Sequence, residues 1–255
     1  MKLIFSFSTK IADYGGGRYT KDDKTDHVLE LYKVAMKRAT DFGHEVKFYG
    51  CDYCIDFLKG YYSESVSVEN IDFDITDDLK IYIHSKEESG IVTIDGDLIL
   101  NKKLKINQNA DVVFEKIEEV LPNKNPTWSQ APEILKSLEK YDVYNEFKDF
   151  IKGNDTMYNV GILYFKNNQI KKIFLDSFYN IKKWYLTNVE PNEKLIPKGV
   201  IVSVILCQYY FKCISDKSNL NIQFAENTND YKHYYGHAKF HDKIFNIIKN
   251  KKTTI

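Results

Sequence analysis

Apolar positions along the first hundred residues switch repeatedly between two periods. "KLIFSF" is an apolar run of strand length near the start. From Thr25 to Gly43, the residues Val28, Tyr32, Ala35, Met36, Ala39 and Phe42 recur at helical spacing, with Thr25 or Asp26 placed to cap the first turn and Gly43 to end the last. "HEVKFYG" (44–50) predicts a second strand, and "DYCIDFLKG" a helix closing at Gly60. "TDDLKIYIHSKEESG" predicts a third helix, capped by Thr76 or Asp77 and closed by Gly90. The run "GIVTIDGDLIL" (90–100) is then apolar, acid–glycine–acid, and apolar again. This alternation predicts an α/β fold whose mixed, mainly parallel sheet is flanked by helices. Ligands bind at the carboxyl ends of strands in such sheets, where the pattern places Asp95 and Asp97.

The second half alternates less regularly. "ADVVFEKI" and "MYNVGILYFKN" (157–167) read as strands, and "EILKSLEKYDVYNEFKDFIKG" and "QIKKIFLDSFYNIKKWYL" as helices. "GVIVSVILCQYYFKCI" is apolar on nearly every face and predicts a buried helix. "NIQFAE" is a short strand, and "NKNPTWSQAPE" (123–133) a loop whose Trp128 could stack on an acceptor sugar. No repeat is visible. The reading is one domain over 1–255, with a nucleotide- and metal-binding half (1–110) and an acceptor-side half (111–255) that ends in a metal-ligand tail.

Composition narrows the partners. Lys+Arg and Asp+Glu balance at 36 each, which argues against nucleic acid. The 4 cysteines, including Cys51 and Cys54, read as reduced thiols of a cytoplasmic protein, since a single CxxC does not make a zinc site. No run is long and apolar enough for an integral membrane segment, and "MKLIFSFSTK" is too short and polar for a signal peptide. The glycines at 15–17 lack the Lys-Ser/Thr of a phosphate loop.

Two ionised carboxylates ~4 Å apart repel by roughly 4 kcal/mol at an effective dielectric of about 20. A shared proton offsets this, and a divalent cation offsets it better. Gly96 between the acids removes a side chain, so a ligand can approach the backbone. The alternative is that Asp-Gly-Asp is only a hairpin turn.

The arrangement of apolar run, D-x-D, apolar run resembles the metal site of the nucleotide-sugar-dependent glycosyltransferases with the GT-A fold. That resemblance implies a GT-A-like, Rossmann-like sheet in which Asp95 and Asp97 hold Mn²⁺ or Mg²⁺ and the ion binds the donor's diphosphate. Lys80 occupies the place of a basic residue on the preceding helix. Asn159 and Gly161 match the Asn-x-Gly strand beside the sugar pocket. "HYYGHAKF" resembles the His-x-x-Gly-x-x-Lys signature of the glycogenin-like and bacterial galactosyltransferase-like retaining enzymes. It implies His233 as third metal ligand, Gly236 as a close approach to the phosphates and Lys239 as a diphosphate contact. His237 is a competing ligand, and Phe240-His241 replaces the family's Pro-Trp. Gln208 matches the polar residue near the sugar's reactive carbon, and Tyr14, in the loop after the first strand, is a base-stacking candidate.

The implied activity is transfer of a sugar from a nucleoside diphosphate, UDP before others, to a hydroxyl of a glycan, lipid-linked or protein acceptor, with retention. Three other readings stand beside it. Haloacid-dehalogenase-like phosphatases carry D-x-D-G-T, whereas Leu98 and Ile99 follow here. A nucleotidyltransferase would use a basic glycine-rich loop, faintly matched by Arg18 and Lys21 in "YGGGRYTK". A binding module of the same fold would hold nucleotide without turnover. The histidines at 233, 237 and 241 would share one face if the tail were helical, which Gly236 opposes.

Overall fold

The protein is described by a computed structural model covering residues 1–8, 23–71, 73, 78–119, 156–188, 205–225 and 229–234. Strand β1 (Lys2–Phe7) is followed by α1 (Asp23–Asp41), β2 (Glu45–Gly50), α2 (Asp52–Phe57), β3 (Glu64–Ser67), α3 (Asp78–Lys86), β4 (Val92–Ile94) and β5 (Leu98–Leu100). Then come β6 (Val112–Glu119), β7 (Thr156–Phe165) and α4 (Asn168–Asn188). A π-helical turn over Ile205–Tyr209 runs into α5 (Tyr210–Lys217), and β8 (Ile222–Phe224) and β9 (Tyr231–His233) follow.

Seven strands form one sheet in the order β3-β2-β1-β4-β7-β6-β8, while β5 and β9 make a separate two-stranded sheet. β3, β2, β1 and β4 run parallel; β7 is antiparallel to both β4 and β6, and β8 is parallel to β6. This is the mixed, mainly parallel α/β sheet that the strand–helix alternation predicts.

Burial on both faces explains the continuous apolar runs Leu3–Phe5 of β1 and Val160–Phe165 of β7. Leu3 and Phe5 pack under Val28, Tyr32, Ala35 and Ala39 of α1, whereas Ile4 faces the other way, onto Leu79 and Ile83 of α3. Along β7, Ile162 and Tyr164 join the α1 side, and Leu163 and Phe165 join Phe174 and Phe178 of α4 and Phe211 of α5 on the other. Each fully buried phenylalanine of that layer contributes about 1.5–3 kcal/mol through its removal from water.

Several boundaries differ from expectation. α1 begins at Asp23, so Thr25 and Asp26 lie inside the helix rather than capping it. Gly43 ends its helix with φ of +75°, as its position predicts, whereas α2 and α3 stop at Phe57 and Lys86, and Gly60 and Gly90, with φ of +91° and +89°, lie in the turns that follow. β3, "ESVS", escapes the apolar pattern because it is an edge strand with half-buried or exposed residues only. Of the segment expected as a buried helix (199–214), the described part is a π turn running into the start of α5, in which Cys207, Gln208, Tyr209, Phe211, Lys212 and Cys213 are buried as expected; exposure begins at Asp216, beyond it, and 199–204 lie outside the described residues. The helix expected around 133–153, Trp128, and the caps Thr76 and Asp77 lie outside the described residues. All four cysteines are free and buried. Among the described residues, no helix is long and apolar enough to cross a membrane.

Candidate active site

The acid pair sits where the chain changes sheets. β4 ends at Ile94, and the Leu98 N–H donates to the Asp95 carbonyl at 3.1 Å, closing a tight turn. The turn does not make a hairpin: β4 stays in the large sheet and β5 pairs with β9. The Asp95 N–H donates to Gly161 O at 2.8 Å, fixing the turn against β7. Gly96 also makes room for a core side chain. A Cβ there would lie 2.0 Å from the Tyr32 ring, so the glycine admits a core tyrosine whose hydroxyl donates to Ser6 O.

β9 supplies the third group. Its register sets His233 opposite Leu98, and the Tyr234 N–H donates to the Asp97 carbonyl at 2.9 Å. His233 Nε2 consequently lies 3.0 Å from Asp97 Oδ1 and 3.8 Å from Asp95 Oδ2. One ligand atom from each of Asp95, Asp97 and His233 falls within 4.8 Å of the others. His233 is in a strand, so the four-residue histidine spacing is not a helical face at that end; His237 and His241 lie outside the described residues.

A fourth group was not singled out in the sequence. Glu115, in the middle of β6, has 0% exposure, and its Oε2 lies 2.8 Å from His233 Nδ1. A bulge in β7 creates this meeting. Phe114 pairs with Leu163 but Lys116 with Asn159, so Val160, Gly161 and Ile162 together stand opposite Glu115. Within the bulge, Asn159 Oδ1 accepts the Gly161 N–H at 2.6 Å. The bulged Val160 carbonyl accepts from Lys80 Nζ at 2.7 Å, and the same ammonium donates to Asp95 Oδ1 at 2.7 Å. Lys80 is thus buried on α3 with its charge on Asp95. The signal that could have exposed Glu115 is an acid within the apolar run "ADVVFEKI", at a position that alternation buries.

Charge in the site is unequal. Asp95, Asp97 and Glu115 converge on Lys80 and His233. Burial pulls the His233 pKa down, but the charge and hydrogen bond of Asp97, with those of Glu115, outweigh it and push it up to about 10. The donor set fits a divalent cation of the Mn²⁺ or Mg²⁺ kind: two carboxylates and an imidazole, with His233 Nε2 to Asp97 at the ~3 Å edge of an octahedron with about 2.1 Å bonds and to Asp95 wider, at 3.8 Å.

Other expected residues are less directly placed. Gln208 lies in the π turn at 7% exposure, and its Oε1 has no hydrogen-bond partner among the described residues. Such turns recur at functional sites, but no described hydrogen bond joins Gln208 to the acid pair. Tyr14, Gly236 and Lys239 lie outside the described residues.

No protein-family profile matches the chain, and no curated protein does. Solved structures do. The galactosyltransferase LgtC, solved with donor and acceptor sugar analogues, aligns over 100% of this chain and 97% of its own at 10% identity and a TM-score of 0.50. Mouse xyloside xylosyltransferase 1 aligns over 88% and 85% at 10% identity and a TM-score of 0.41. The CTP:phosphocholine cytidylyltransferase LicC of Streptococcus pneumoniae aligns over 97% and 98% at 13% identity and a TM-score of 0.48. The likeness to LgtC shows the fold: this chain has a GT-A-like architecture, distant in sequence from the glycosyltransferases that share it.

Proposed function

We propose that the chain is a metal-dependent glycosyltransferase that moves a sugar from a nucleoside diphosphate, a UDP-sugar before others, to a hydroxyl acceptor. The observation that carries this is the convergence of Asp95, Asp97 and His233 within 4.8 Å, beyond the carboxyl end of β4, on a GT-A-like sheet. These residues would hold Mn²⁺ or Mg²⁺. When bound, such an ion supplies Lewis-acid stabilisation to the negative charge that grows on the departing diphosphate.

The chain's own groups do the rest. Lys80 fixes Asp95 and keeps one carboxylate of the crowded set neutralised. The turn and β9 hold Asp97 and His233 in register before any ligand arrives, so no reorganisation is needed as charge develops. Lys239 places a further ammonium on the diphosphate, Gly236 lets the backbone approach it, and Tyr14 stacks on the base. Asn159, with Gly161 beside it, and Gln208 border the sugar. The acceptor is a glycan, a lipid-linked sugar or a protein side chain, bound by the half after residue 110, and the anomeric configuration is retained.

Calorimetry of UDP, GDP and their sugar conjugates, with and without Mn²⁺, tests this reading. Mn²⁺-dependent binding of one nucleotide, followed by slow hydrolysis of its sugar conjugate, is the expected result. Binding without hydrolysis or transfer would leave a nucleotide-holding module. No nucleotide binding under any metal would overturn the site.

A further inference from the structure

Glu115 is the most deeply buried carboxylate among the described residues. It is fully buried in the middle of a strand whose neighbours Val113 and Phe114 are core residues. An ionisable group in such a place is costly unless it is paired and hydrogen-bonded. Its Oε2 meets Nδ1 of His233 at 2.8 Å, while Nε2 of the same ring meets Asp97. The imidazole is therefore held at both nitrogens, with the acid pair on one side and Glu115 on the other.

Space for this contact is provided by Gly161. A Cβ at that position would lie 2.1 Å from Glu115 Oε2 and 2.8 Å from His233 Cε1. The β7 bulge that presents Gly161 is closed by Asn159, whose side chain takes the Gly161 N–H. Bulge, glycine and glutamate meet at the His233 ring.

We propose that Glu115 is a positioning residue for the cation site: it fixes His233 through Nδ1 so that Nε2 is presented to a metal shared with Asp95 and Asp97, and Gly161 is the space it occupies. The inference rests on the metal-site reading above. Carboxylates that hold the far nitrogen of a ligating histidine fix the ring and raise its basicity, and their loss typically weakens metal binding about 10–100-fold.

The test is titration of Mn²⁺ alone into the full chain, read by the electron paramagnetic resonance signal of the free ion, with thermal melting recorded in parallel. Wild type, Glu115→Gln, Glu115→Ala, His233→Ala and the Glu115→Gln/His233→Ala double variant are compared. Affinity is expected to fall in the order wild type, Glu115→Gln, Glu115→Ala, the last by about 10–100-fold. The glutamine keeps an acceptor oxygen for Nδ1–H but loses the charge. In the His233→Ala background, Glu115→Gln is expected to change nothing further, because its effect runs through the imidazole. Mn²⁺ affinity within twofold of wild type in either single variant, or equal losses with and without His233, would overturn the positioning role while leaving the metal site standing. Should Glu115→Ala not fold, Glu115→Gln decides alone. No Mn²⁺ binding by wild type would remove the metal site and this inference together.

Discussion

Two charged clusters lie toward opposite ends of the parallel strands, and they are built on opposite principles. One lies around the first residues of β1, β2 and β3. There Lys2 pairs with Glu45 and Glu64, Lys47 with Glu64 and Glu87, and Lys171 donates to the Glu87 carbonyl. Three lysines meet three glutamates. Burial would raise the Glu87 pKa, but Lys47 and the Tyr49 hydroxyl hold it below its usual range. The other cluster lies beyond the carboxyl end of β4, where Asp95, Asp97 and Glu115 face Lys80 and His233. Helix α3 connects them: Lys80 reaches the second, Glu87 just past its end reaches the first, and His84 stands between, at spacings that share one helical face. The first cluster neutralises its carboxylates with lysines. Among the described residues, the second sets three carboxylates against one lysine and His233, the arrangement that the proposed divalent cation would complete.

The largest contrast should therefore appear in metal binding. Asp97→Asn is expected to lower Mn²⁺ affinity by about 100-fold or more, roughly 2.7 kcal/mol, because it removes a carboxylate from the proposed cation site. Lys47→Met should leave Mn²⁺ affinity within about twofold. Equal behaviour of the two variants in a Mn²⁺ titration would erase the distinction between the clusters.

Stability should show the reverse. Lys47→Met strands Glu64 and Glu87 beside each other. Breaking a buried pair costs about 3–5 kcal/mol, but Glu64 is half exposed, so about 2 kcal/mol is expected here. That corresponds to a melting temperature lower by roughly 4–8 °C, read by calorimetry. A change within 1–2 °C, on the order of a surface substitution, would show that the first cluster is not a brace.

The two regions also differ in how far the sequence discloses them. Asp95, Asp97 and His233 stand in short motifs that name their chemistry, and the apolar runs of β1, β4 and β7 announce a sheet buried on both faces. Glu115 carries no motif. Its partner is 118 residues away, and only the register of β6 shows that it points at His233. The bulge in β7 is invisible because its extra residues, Val160 to Ile162, are as apolar as the strand around them. Gly96 and Gly161 are legible as glycines, but the atoms that press closest on a Cβ come from Tyr32 and Glu115, neither of them near in sequence. Lys80 was legible as a basic residue by the site, although its ammonium is spent on Asp95 and Val160 O. Gly161→Ala sharpens the point. It should cost about 1–2 kcal/mol through overpacking and also lower Mn²⁺ affinity, whereas an alanine at a glycine of purely local purpose would cost stability alone.

The smallest expected effect concerns the residue between the clusters. His84 is fully buried against Phe165, with Nε2 at 3.0 Å from Thr93 Oγ1. Burial first, then the charges of Lys171 and Lys80 from the two clusters, push its pKa down to about 3. Folded protein consequently keeps His84 neutral over a range in which the unfolded chain protonates it, from about pH 6.5 downward. The unfolded state binds more protons there, so stability rises with pH across that window and is lost as pH falls from about 6.5 toward 3. At about pH 5.5 this one group should cost roughly 1.4 kcal/mol relative to neutral pH. His84→Gln should flatten that part of the urea-stability profile, whatever it costs at neutral pH. An unchanged slope between about pH 5 and 7 would mean that neither burial nor the lysines of the two clusters keep His84 neutral in the folded protein.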